Sequence, residues 1–459
     1  MNTLMSIVER IGIGAAPNSA DGVLLDTGFD HEITRGALTE SVLVMAGTNK
    51  GKTTLGRTLY RAMLRDRWGG LVLCVKQSQI AEFQEACRLE NREKDCLVLS
   101  PGGAHAFNPF AGETSAAEAA ALVAEISEVL AGKVRDGGDN ESFWRAQLGI
   151  ILRNLFTLCG IVYGRFDVVK VAELFDGHAN TLSEVEDPQW RRTSPLAFAL
   201  EAARRLSDNV DARLAVDYFT RSFPGHGDRL QGSLSATVAS VFDYLRRPPL
   251  CDLFAGCSTF TMDDLLDNGK ICVVGLPALD SADGKIANAI MQFCFCRAAT
   301  RRPREHYSML VSDECQETVS RELMRKLAVL REFKVASIML TQNLAVLDDR
   351  IGETAREGFC GLLGFKIFGP QGHGGTRQWA AEQIGKRKVP VKTTTTGRSA
   401  GQSSSGTSES VQWDYRVPPS RFAELVPGET ICLRDGKVWL ARWHKDKPGK
   451  RGTVRITDG

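Results

Sequence analysis

Ser41-Val-Leu-Val-Met-Ala-Gly-Thr-Asn-Lys-Gly-Lys-Thr-Thr54 is the stretch on which the fold turns. Ser41 to Ala46 is a short apolar run of strand length. Lys52 to Arg65 places Leu55, Leu59, Met63 and Leu64 on one side of a helix. Between them lies a tight turn of small and polar residues, Gly47, Thr48, Asn49, Lys50 and Gly51. Small residues let consecutive backbone N–H groups point inward at phosphate oxygens. A lysine must then reach the β and γ phosphates, and a hydroxyl must meet a magnesium ion. Lys52 and Thr53, with Thr54 beside it, supply these at the mouth of a helix whose dipole favours an anion. ATP with Mg2+ is the ligand this loop predicts. Ala46 stands where glycine is usual, which its backbone tolerates if φ is negative.

Far downstream, Met309-Leu-Val-Ser-Asp-Glu314 is an apolar strand ending in two acids. Asp313 at a strand end is placed to hold the magnesium shell, and Glu314 to polarise the attacking water. Ser337 to Gln342 is another strand, and its terminal Gln342 could sense the γ-phosphate. Arg331 closes the helix between these strands, where a solvated helix-end cation and a residue facing a neighbouring subunit are both open readings.

Working outward, strand, helix and strand recur at Leu71–Val75 and Cys96–Leu99, which argues a parallel α/β sheet. From Ser115 to Arg247 the pattern is helical, and strands return at Ile271, Ser308, Val335 and Phe365. We therefore expect residues 1–110 and 251–459 to form one α/β nucleotide-binding domain, interrupted by an all-α insertion at 111–250. The Thr/Ser/Gly-rich stretch 393–410 reads as a mobile loop. A hairpin is expected around Asp435-Gly436, with a frayed tail from Lys445.

The 57 basic and 55 acidic residues leave a net charge of +2, so any nucleic-acid contact must come from local groups. Arg145 and Arg153 beside Trp144, Arg204 with Arg205, and Arg246 with Arg247 are the candidates. The twelve cysteines contain no C-x-x-C pair, and several lie in apolar runs. That pattern predicts buried reduced thiols in a cytoplasmic protein. No run is read as approaching the roughly 18 apolar residues of a membrane span, and no basic-then-apolar leader is evident.

These motifs together resemble the TraG/TraD-like type IV coupling proteins of conjugation and, more distantly, the HerA/FtsK class of DNA translocases. The resemblance rests on Gly47-Thr48 with Gly51-Lys52-Thr53, Lys76, Phe107-Asn-Pro-Phe110, Glu141-Ser-Phe-Trp144 and Gly232-Ser233. It continues through Asn268 to Pro277, Asp313-Glu314, Arg331, Thr341-Gln342 and Leu425-Val-Pro-Gly-Glu429. It implies a RecA-like P-loop NTPase domain with an all-α insertion, a homo-hexameric ring, and ATP hydrolysis coupled to DNA movement. Relaxase, nuclease or secretion-channel proteins are the implied partners, with recruitment to the inner membrane by one of them. Carried over, Lys52 and Thr53 bind phosphate and metal, Asp313 is the metal-shell acid and Glu314 the base. Gln342 becomes the sensor and Arg331 a finger acting in trans. The chain departs from the family in a loop read as one residue short at Asn49-Lys50, in Cys74-Val75 replacing an acid, and in lacking an N-terminal membrane hairpin. Two alternatives are a soluble HerA-like motor working with a nuclease or packaging machine, and a nucleotide-binding recruitment module with little hydrolysis.

Overall fold

The apolar runs form strands buried on both faces, as a parallel sheet covered by helices requires. The computed structural model describes residues 22–25, 32–112, 114–132, 139–206, 208–399, 402–443 and 454–457. Along the chain the strands are β1 Val23–Leu25, β2 Ile33–Thr34, β3 Val42–Met45, β4 Gly69–Leu73, β5 Cys96–Leu99, β6 Ile271–Val274 and β7 Ser308–Asp313. They continue as β8 Val335–Thr341, β9 Phe365–Phe368, β10 Lys386–Ser399, β11 Gln402–Tyr415, β12 Glu429–Arg434, β13 Lys437–Trp443 and β14 Val454–Thr457.

The chain divides into two compact units: Met1–Leu59 with Met339–Asp348 and Leu363–Gly459, and Tyr60–Ile338 with Asp349–Leu362. In the first unit β3 pairs parallel with β9, and β12 and β13 follow antiparallel. The hairpin expected at Asp435-Gly436 is present, and both residues have positive φ, 49° and 73°. That is the twist a two-residue hairpin turn demands. In the second unit β7, β4, β6 and β5 lie side by side, all parallel. Helix Lys52–Arg65 has the bounds its periodicity predicts.

Between 114 and 250 every regular element among the described residues is helical. The sequence supplies the stops and starts. Ser115 and Glu118 form a capping box before Ala116–Ala131, and Asp167, Ser194 and Asn209 each cap the next helices. These helices share a unit with β4 to β7, so the observed division does not fall at 110 and 250. Helix Ala116–Ala131 packs on Ala282–Thr300, and Glu118 accepts from Arg297 of that helix and from Arg301 just after it.

Three expectations change. The stretch 393–410 is strand at its described residues: 393–399 lie in β10 and 402–410 in β11, which pair antiparallel from Lys386↔Tyr415 to Ser399↔Gln402. The β-branched threonines at 393–396 suit an extended strand, which a reading by polarity overlooks. Of the tail, Val454–Thr457 pairs with β13, and residues 444–453 lie outside the described ones. Finally, Ser142–Tyr163 is long and apolar enough to cross a membrane by length and composition. Ile151, Leu152, Leu155 and Phe156 of this helix are buried against five neighbouring helices of its region, whereas Phe143, Ile150 and Tyr163 are exposed.

Gly70 is the tightest joint of the parallel core. Its φ is +147°, and a Cβ there would sit 2.0 Å from the Met309 carbonyl oxygen of β7. Gly70→Ala therefore has to force β4 and β7 apart, at a cost of about 3 kcal/mol or more. Denaturant unfolding should show the loss, and a change below about 0.5 kcal/mol would contradict this packing.

Candidate nucleotide site

In the first unit the loop after β3 is held from below by backbone. Ala46 N–H donates to Thr341 O at 3.3 Å, Gly47 N–H to Pro370 O at 3.0 Å, and Lys50 N–H to Gly47 O at 3.2 Å. Two residues take the left-handed conformation, Asn49 at φ 58° and Gly51 at φ 90°. Asparagine is among the few side chains that tolerate it, so Asn49 substitutes for a glycine rather than distorting the turn. Ala46 is not among the positive-φ residues, which accounts for the missing glycine at that position. Lys50 is exposed, whereas Lys52 is drawn in to 7% exposure.

Gln342 sits at the end of β8, where its Oε1 accepts from the Thr48 hydroxyl at 2.9 Å. Its backbone oxygen accepts from buried Gln371 at 2.8 Å. The sensor candidate is thus tied directly to the phosphate loop. A cavity of about 130 Å³ opens beside the loop, lined by Lys52, Gly369, Pro427, Gly428, Thr430 and Trp443 among others. The stretch Leu425 to Glu429 is one of the motifs on which the sequence resemblance rests, but nothing in its spacing announces that it borders the loop. The residues fit a phosphate chain: a Cβ at Gly51 would meet nothing closer than Gly428 N at 3.6 Å, so the cradle is open.

In the second unit Asp313 ends β7 and Glu314 follows in the left-handed conformation, φ 62° and ψ 52°. A glutamate held there is strained by about 1–3 kcal/mol, and such strain collects at functional sites. Glu314 is 5% exposed, and both carboxylate oxygens are engaged. Lys76 Nζ donates to Oε1 at 2.9 Å and Gln316 Nε2 to Oε2 at 3.1 Å. Partial burial pulls the Lys76 ammonium down, but its bond to Glu314 and the charges of Glu314 and Asp313 outweigh this and hold it above its ordinary value. Lys76 was legible as a motif residue after the second strand, yet its partner 238 positions away was not.

Arg331 follows helix Arg321–Leu330, opens a short 3-10 turn and is exposed. The basic candidates are less available than their sequence suggests. Arg145 pairs with Glu128 at 2.9 Å, Arg153 with Asp211 at 3.0 Å, and Arg204 with Glu201 at 3.3 Å. Arg246 and Arg247 pair with Asp176 and Asp243. Burial pushes the Cys74 and Cys432 thiols up to about 12, so at neutral pH they behave as small apolar groups.

Residues 308–425 match the family model described as the TraM recognition site of TraD and TraG. That stretch of the chain is similar to TraD and TraG. The bacterial conjugative coupling protein TrwB, in an unbound form, superposes with a TM-score of 0.64 at 13% identity, covering 97% of this chain and 92% of that one. TrwB in complex with the ATP analogue ADPNP gives 0.64 and 13%, over 97% and 93%. TrwB with ADP and Mg2+ gives 0.64 and 13%, over 94% and 92%. At this identity the likeness establishes the fold alone: a RecA-like α/β fold with a mostly parallel sheet. No curated protein sequence matches the chain. The TraG/TraD-like stretch includes Asp313-Glu314, Arg331, Gln342 and the β10–β11 ribbon.

Proposed function

We propose that this TraG/TraD-like chain is an ATP-driven DNA translocase, the coupling ATPase of a conjugation or type IV secretion system, working as a homo-hexamer. The observation that carries the proposal is the loop after β3, with Asn49 and Gly51 in the left-handed conformation and Lys52 drawn in at the helix mouth. The complexes of TrwB with ADPNP and with ADP and Mg2+ support ATP and Mg2+ as the ligands here. Lys52 and the loop N–H groups bind the triphosphate, and Thr53 and Asp313 hold the metal, which would draw charge off the phosphates. Glu314 takes the proton of the attacking water, Gln342 reports on the γ-phosphate through Thr48, and Arg331 acts in trans. The description of the matched family model supports a protein partner of the TraM kind beside relaxase or channel components. The site of action is then the cytoplasmic side of the inner membrane, reached through such a partner.

One observation favours a second reading. Both oxygens of Glu314 are already bonded, to Lys76 and Gln316, as in a nucleotide-binding recruitment module that hydrolyses little. ATP turnover with and without DNA separates the two. The motor shows hydrolysis that rises with DNA, and nucleotide binding without DNA-dependent turnover selects the recruitment module.

A further inference from the structure

The ribbon of β10 and β11 has two faces of different chemistry. Directly opposed residues share a face, and alternate pairs return to it. One face carries Lys386↔Tyr415, Lys388↔Trp413, Pro390↔Val411 and Lys392↔Glu409. Lys386 Nζ lies 4.8 Å from the centre of the Tyr415 ring, and Lys388 Nζ 5.5 Å from that of Trp413. Lys392 pairs with Glu409 at 2.7 Å. Trp413 is 60% exposed and Val411 67%, an unusual display of apolar surface on a strand. Gln378 donates to the Tyr415 hydroxyl at 2.6 Å and steadies that ring. Three exposed lysines face a single carboxylate, with two aromatic rings set between them.

Taking DNA as the substrate, as proposed above, we infer that this face of the ribbon is a binding site for single-stranded DNA, with bases stacked on Trp413 and Tyr415 and phosphates met by Lys386, Lys388 and Lys392. The spacing selects the strand type. Residues two apart on a strand stand about 6.7 Å from each other, roughly twice the 3.4 Å step of one strand in a duplex. Neighbouring bases must therefore be unstacked to reach both rings, which an extended single strand allows and a closed duplex does not. The energetic order also favours occupation. An exposed cation over a ring contributes a factor of about 2 to 5 in affinity, and a base stacked on a ring about 5 to 150. An arriving base displaces the lysine from the ring, and the released ammonium is left beside the strand's own phosphates. The opposed Glu409 sits at the far end of the face from the two rings, and the Glu382 carboxylate near the Tyr415 hydroxyl accepts from Gln378.

The test is fluorescence anisotropy with a fluorescein-labelled oligo-dT strand and with the same sequence as a duplex. Trp413→Ala is expected to weaken single-strand binding by about 5- to 150-fold and to leave duplex binding as it was. Trp413→Phe should retain most of the affinity, because the phenyl ring still offers a stacking face. Lys388→Ala should reduce the slope of log K against log salt by about 0.7. Ultraviolet cross-linking of a bromodeoxyuridine strand, mapped by mass spectrometry, should label the segment 408–415. If the wild type binds single strands and all three variants bind equally well, the ribbon site is wrong while the DNA reading stands. Absence of DNA binding by the wild type overturns both. Unchanged DNA affinity in Trp413→Ala with an altered sedimentation mass makes the ribbon a protein interface and likewise overturns the inference.

Discussion

Glu314→Gln is expected to bind ATP as the wild type does and to lose about a hundredfold to ten-thousandfold in turnover, the usual contribution of a positioned general base. The substitution keeps the side chain's volume and its carbonyl acceptor, so the bond from Lys76 Nζ and the left-handed backbone at φ 62° are preserved. What it removes is the group that can take a proton from water, together with the acceptor for Gln316 Nε2. Lys52→Ala gives the opposite signature. It deletes the drawn-in cation at the helix mouth, and nucleotide affinity falls before any chemistry begins. Equilibrium binding of a fluorescent ATP analogue beside steady-state turnover distinguishes the two. Equal turnover in wild type and Glu314→Gln would remove Glu314 as the base.

Arg331→Ala tests the ring. An arginine reaching a neighbour's γ-phosphate stabilises charge that develops only in the transition state, so its loss should cost about a thousandfold or more in turnover. ATP affinity should stay nearly intact. A cation that merely complements its helix end contributes about 0.3–1 kcal/mol to stability and nothing to catalysis. Arg331 is exposed where its helix gives way to the turn before β8. Among the other arginines of this region, Arg356 is 4% exposed and held by Glu353, and Arg350 donates to the Gly132 oxygen. Mixing Arg331→Ala with Lys52→Ala should restore part of the activity, since one brings a sound loop and the other a sound finger. Wild-type turnover in Arg331→Ala, or no rescue on mixing, would reject the assignment.

What the sequence revealed and what it hid follow from the range of the interactions. Strands Cys96–Leu99 and Phe365–Phe368 and helix Lys52–Arg65 have the bounds read from local pattern, because apolar spacing and turn residues decide them locally. The hairpin at Asp435-Gly436 was legible for the same reason. The ribbon was not. Thr, Ser and Gly at 393–410 look like a linker by composition, and what makes them strand is pairing in register with partners such as Lys392 with Glu409. Asn49 looked like a defect in the phosphate loop until its φ of 58° gave it the role of a glycine. The bond between Lys76 and Glu314 joins residues that no local spacing relates. The acids themselves were legible as a strand end, but the strain and the double engagement of Glu314 were not. The basic residues stand out in the sequence as candidate nucleic-acid contacts, and the structure gives most of them carboxylate partners.

The central claim is that ATP hydrolysis by this chain drives movement along DNA, and turnover across a series of single-strand lengths tests it most directly. A motor that steps along its track leaves at the end, so short strands spend more of each cycle in rebinding. The account predicts that turnover at saturating ATP and equal nucleotide concentration of DNA rises with strand length to a plateau, and that Glu314→Gln stays flat across the whole series. Turnover that is independent of DNA and of its length would contradict it.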